Sequence, residues 1–86
     1  IGLLQSRYYL RLTTEDHPGV LGRVCTALGR HGVSIASCIQ KDTQVGEPVH
    51  VVMMTHDTVE SSLAAAVSDI NAMEFIAAPT RVIRIL

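Results

Sequence analysis

Eighty-six residues, 48% of them apolar and with a formal charge of −1, make one small domain near the size at which a single core is marginal. Seven Lys and Arg against eight Asp and Glu are dispersed with no basic run, which excludes the electrostatic footprint of a nucleic-acid binder. No apolar stretch approaches the roughly 20 residues of a membrane span and no signal peptide is visible, so no membrane partner is expected.

The apolar share is enough for a core plus one sticky surface, the pattern of a domain that leans on a partner. Ile1 in place of Met points to a fragment or a processed chain. Cys25 and Cys38 are the only thiols and have no framework spacing, which fits a reducing, cytoplasmic setting.

In chain order, residues 1–6 read as a linker remnant and residues 7–86 as the domain. Tyr8 to Thr14 alternates, with Tyr8, Leu10 and Leu12 on one face and Tyr9, Arg11 and Thr13 on the other, which predicts a half-buried strand. Glu15-Asp16-His17-Pro18-Gly19-Val20-Leu21 follows as a bend into a helix starting at or near Pro18. Proline suits a first helical turn, and free N–H groups at a helix start favour a small anion such as a carboxylate. The bend is equally well an ordinary strand-to-helix turn.

Leu21, Val24, Cys25 and Leu28 recur at i, i+3, i+4 and i+7 and form an apolar stripe, and Gly32 fits a left-handed cap after His31. Val33 to Lys41 is the second strand, with Val33, Ile35 and Ile39 on one parity and Ser34, Ala36, Cys38 and Gln40 on the other. Asp42 to Pro48 reads as a polar hairpin loop, and the apolar run Val49 to Thr55 as a strand inside the sheet. Asp57 with Glu60 resembles a capping box opening a second helix striped by Val59, Leu63, Ala66, Val67 and Ile70. Phe75 to Leu86 closes as a fourth strand, with Pro79 pushing its early part to an edge or a bulge.

The order βαββαβ predicts an α+β, ferredoxin-like sandwich, a four-stranded antiparallel sheet with two helices on one face. One sheet face is then uncovered and the second strand lies at an edge. That edge, Ser34 to Lys41, is mostly small and uncharged until Lys41 and invites pairing with a second copy about a two-fold axis.

Other chemistries lack their parts. His50 and His56 lie six residues apart on one strand, about 20 Å, too far to share a metal ion. Cys25 belongs to a packing stripe, while Cys38 faces the Ser34 side, where it can approach its counterpart across a two-fold. Tyr8 and Tyr9 have no aromatic partner on the third strand to stack RNA bases. Arg23 lacks the glycine-rich nest of a phosphate-cleaving loop, and Ser61 and Ser62 have no base partner, so no catalytic residue is expected.

Tyr8-Tyr9-Leu10-Arg11-Leu12, Asp16-His17-Pro18-Gly19-Val20-Leu21, His31-Gly32-Val33-Ser34-Ile35 and Val82-Ile83-Arg84-Ile85 together resemble an ACT domain, a small-molecule-sensing module of amino-acid metabolism. The opening Ser6-Arg7-Tyr8-Tyr9, Ser34-Ile35 followed by Ile39-Gln40-Lys41, and Thr55-His56 further resemble the C-terminal regulatory domain of bacterial homoserine dehydrogenases. The resemblance implies a regulatory part of an NAD(P)-dependent oxidoreductase of the aspartate pathway, inhibited by threonine. No cofactor is expected in the chain itself, which has no glycine-rich dinucleotide fingerprint.

It further implies a homodimer through the second-strand edge, with an amino-acid effector between the two copies. By position, Asp16, His17, Pro18, Gly19, Val20 and Leu21 of one copy would meet Val33, Ser34, Ile35 and Ala36 of the other. Asp16 and Ser34 stand where amino-acid-binding members often carry Asn. A dimerisation domain that binds nothing is the alternative implied by those two departures.

Overall fold

The computed structural model describes residues 5–16, 18–41 and 46–85. They form β1 (Gln5–Thr14), α1 (Val20–Arg30), β2 (Ile35–Gln40), β3 (Val49–Thr55), β4 (Thr58–Val59), α2 (Glu60–Asn71) and β5 (Ile76–Ile85). β1 lies between β3 and β5, β2 adds to the far side of β3, and every pairing is antiparallel. The result is the expected α+β sandwich, with β2 and β5 as its long edges.

Five strands appear where four were expected, because β3 is interrupted rather than ended. Tyr9 opposes Met54, but Ser6 opposes Thr58, so β4 continues along β1 with one extra residue in the crossing. At the break, Tyr8 gives its N–H to Thr55 Oγ1 at 3.0 Å, and the Arg7 Nε donates to the Thr55 carbonyl at 3.3 Å. A buried side chain therefore stands in for a lost ladder bond. Pairing with β4 also makes Gln5 and Ser6 part of β1, ahead of the strand start expected at Tyr8. Thr58 and Val59 pair as strand, so Val59 and not Asp57 precedes α2, and no side chain among the described residues caps that helix.

The core is one cluster. Leu10, Leu12 and Tyr8 of β1 and Val49, Val51 and Met53 of β3 meet Val20, Val24, Ala27 and Leu28 of α1 and Leu63, Ala66 and Ile70 of α2. The strict in-out alternation of β3 shows why: one face is covered by both helices and the other by no element among the described residues. Leu21 and Cys25, expected in the α1 stripe, are half-buried on its flank, and of Ala64 to Ala66 only Ala66 faces the sheet.

α1 ends as the sequence promised. Gly32 has φ +75°, its N–H donates to the Gly29 carbonyl and Val33 N–H to the Leu28 carbonyl, the paired bonds of a Schellman cap. Val33 and Leu28 are both buried, which supplies the apolar contact that accompanies this cap. His31, at the C-terminal end of α1, joins the two helices through Asp69 Oδ2 at 2.7 Å.

β2 departs from its expected parity. Ile35 opposes Thr55 but Ser37 opposes Met54, so Ala36 is an extra residue, a bulge. Beyond it every side chain changes face. Cys38 pairs with buried Met53 and turns to the helix side, while Ile39 turns to the open face and is 60% exposed. Pro79 does to β5 what its missing N–H demands. The register slips between Ala78 and Arg81, and Asn71 Oδ1 at the end of α2 accepts the Thr80 N–H at 3.0 Å. The 42–45 part of the expected hairpin loop lies outside the described residues.

Replacing Thr55 by Val keeps the shape and removes the acceptor for a buried N–H. Urea denaturation should show a loss of about 1–3 kcal/mol. Ile83→Thr on the open face should cost less than about 1 kcal/mol by the same measurement.

Candidate functional site

The bend between β1 and α1 is exposed at Glu15, Asp16, Pro18 and Gly19 and anchored at each end. Thr14 is buried, Glu15 N–H donates to the Phe75 carbonyl at 2.7 Å, and Val20 enters the core at 8% exposure. Gly19 precedes the helix with φ +81°, a left-handed conformation that L side chains rarely adopt. Its carbonyl accepts the first helical bond, from Arg23 N–H at 3.0 Å. The glycine is therefore required by the backbone, not only by access to it.

No side chain among the described residues caps α1, so its first-turn N–H groups point toward the bend. Arg23 leans away, donating to Glu74 Oε1 at 2.9 Å with its guanidinium 4.9 Å from the centre of the Phe75 ring. Both partners of that ion pair are largely exposed, so it adds little.

Asp16, Gly19, Val20 and Leu21 of the bend share a cavity of about 180 Å³ with Gln40 of β2 and Val49 and Val51 of β3. The last three were not singled out from the sequence, although a signal existed. A hairpin closing near residues 41–48 returns β3 beside the end of β1, and Val49 indeed opposes Thr14. His17 lies outside the described residues.

The second group of expected residues sits elsewhere. Val33 is 4% exposed and packs beneath the α1 cap, so its side chain belongs to the core. Ser34 and Ala36 are exposed and Ile35 is half-buried, but all three lie at the end of β2 remote from the bend. Five residue steps of strand separate Ile35 from Gln40, about 17 Å. Within one chain the two groups do not meet.

A wider hollow of about 650 Å³ opens between α1 and α2, lined by Gly22, Arg23, Thr26, Arg30, Asp69 and Met73. Its acid and one of its two arginines are already engaged, by His31 and Glu74. Among the described residues no three His, Cys, Asp or Glu side chains gather as a metal site. None of the helices there is long and apolar enough to cross a membrane.

Two helices on one face of an antiparallel sheet, with an exposed glycine bend at one sheet end, define a small ferredoxin-like α+β domain. The ACT domain family description matches residues 8–75, and the chain belongs to that family. The chain is 35% identical over 82 residues to the homoserine dehydrogenase of Pseudomonas aeruginosa, covering 94% of this chain and 19% of that protein. It is 43% identical over 74 residues to the homoserine dehydrogenase of Methylobacillus glycogenes, covering 85% and 18%.

Among solved structures, a homoserine dehydrogenase from Thiobacillus denitrificans aligns with a TM-score of 0.84 at 32% identity, over 95% of this chain and 18% of that one. The regulatory subunit of aspartate kinase from Thermus thermophilus shares the fold, with a TM-score of 0.67 at 15% identity over 95% of this chain and 53% of that one. The chain thus spans about a fifth of the length of the homoserine dehydrogenases it resembles.

A Cβ built on Gly19 meets nothing within 4 Å, so substitution there tests backbone conformation alone. Gly19→Ala should lower the unfolding free energy by about 1–2 kcal/mol in a denaturant titration.

Proposed function

We propose that this chain is the amino-acid-sensing regulatory part of a homoserine dehydrogenase. On this reading it binds threonine or a close relative between two copies joined edge to edge through β2. The observation that carries the reading is the separation of the two residue groups. One copy holds the bend at one end of β2 and Ser34 to Ala36 at the other, about 17 Å away. Antiparallel pairing of two β2 edges about a two-fold axis reverses one strand against the other. The partner copy's Ser34 end then falls beside Gln40 and the bend.

Energetics favour two walls over one. A metabolite acting between micromolar and millimolar needs about 4–8 kcal/mol of binding free energy. A helix terminus gives an exposed anion only about 0.3–1 kcal/mol. Further hydrogen bonds and exclusion of water are required, and a second strand supplies both. In this arrangement the effector carboxylate faces the first-turn N–H groups of α1, and Asp16 accepts from the ammonium group. A ligand touching both copies favours the paired state, which gives the domain a way to signal.

The rest of such an enzyme carries the NAD(P) chemistry in the cytoplasm. Asp16 and Ser34 favour a second reading, in which the pair forms but holds no ligand.

Calorimetric titration of threonine into the 86-residue chain, up to tens of millimolar, should give saturable heat and a raised melting temperature. Ala36→Asp should abolish pairing in analytical ultracentrifugation and the heat with it. A stable pair that ignores threonine would select the second reading.

A further inference from the structure

The bulge at Ala36 has a chemical consequence for the two cysteines. Leu21 of α1 and Gln40 of β2 line one cavity. Cys25 lies four residues beyond Leu21 on the same helix flank, an advance of about 6 Å. Cys38 lies two residues before Gln40 on the same face of β2, an advance of about 6.6 Å. The two steps run in one direction, away from the bend, so the side chains that face each other one step on are Cys25 and Cys38.

The opposite flank of α1, with Arg23, Ala27 and Arg30, faces α2 across the interhelical hollow, which leaves the Cys25 flank directed to the β2 edge. Cys38 opposes buried Met53, which fixes its side chain on the helix-covered side. Cys25 is half-buried against the core, Cys38 is exposed, and both are free thiols. Without the extra residue at 36, Cys38 would point to the open face.

We propose that Cys25 and Cys38 form a reversible intrachain disulfide that ties the flank of α1 to the exposed edge strand β2. The oxidant is a low-molecular-weight disulfide. The Cys38 thiolate attacks it, forming a mixed disulfide and releasing one thiol. The Cys25 thiol loses its proton and displaces the second. Two protein thiols and one disulfide become one protein disulfide and two small thiols.

Partial burial, and then the neighbouring Cys25, push the Cys38 thiol above its ordinary range. Its thiolate is scarce near neutrality, so the exchange speeds up as pH rises. The bond needs its two Cα atoms within about 7 Å, so it forms only where the α1 flank and the edge strand come that close. This inference stands apart from effector sensing and survives if no amino acid binds.

The full chain is incubated with oxidised glutathione, alkylated and analysed by intact mass and by tryptic mapping. Trypsin separates the two cysteines into peptides 24–30 and 31–41. The expected result is loss of both free thiols, a mass lower by two hydrogens, and those two peptides joined in a monomeric species that dithiothreitol restores. Cys25→Ser should instead retain glutathione on Cys38. Glutathione held on Cys38 of the unmutated chain with Cys25 still reduced would overturn the proposal, as would chains cross-linked through Cys38.

Discussion

The whole arrangement depends on β1 being paired along both sides. Its ladder with β3 runs from Tyr9 to Thr14 and its ladder with β5 from Arg7 to Thr14, so its register fixes three strands at once. Where one side falters, at Tyr8, the Thr55 hydroxyl takes the orphaned N–H inside the core. An unpaired donor there would cost about 1–3 kcal/mol, a sizeable part of the stability of a domain this small. Because β1 is fixed, the bend that leaves its end is fixed too, and Glu15 N–H is bonded to the Phe75 carbonyl just before β5.

Three regions of the sheet depart from regular pairing. A break in β3 creates β4, a bulge at Ala36 re-aims the outer half of β2, and β5 shifts its register against β1 on either side of Ala78. Each is local, and two of the three lie on the sheet edges. Gly19 belongs to the same set, since its positive φ lets the chain turn from strand to helix while keeping Asp16 and Pro18 exposed.

Periodicity made most of this readable in advance. The alternation of Tyr8, Leu10 and Leu12, the 3.6-residue spacing in both helices and the Gly32 cap all predict what is seen. Pattern fails where one residue is added. Nothing in Ser34-Ile35-Ala36-Ser37 announces a bulge, because small residues fit either parity and the decision is made by pairing with β3. The same holds for Asp57, whose cap-like spacing was overridden by two residues that pair with β1 instead. The bend was legible as an exposed turn and the hairpin near residues 41–48 pointed to Val49 beside it, but Gln40 and Val51 enter the same cavity through tertiary packing that spacing does not encode.

The bare side of the sheet gives the molecule an uneven wettability. Tyr9, Ile39, Val52, Met54, Ile83 and Ile85 share it with Arg7, Arg11 and Arg81, and no carboxylate of the described strands stands among them. At low ionic strength the guanidinium groups keep such surfaces apart. Salt shortens that repulsion to within about 3 Å at 1 M, while the apolar attraction survives. Concentrated brine is therefore the condition under which this domain would precipitate first, with its open face inward.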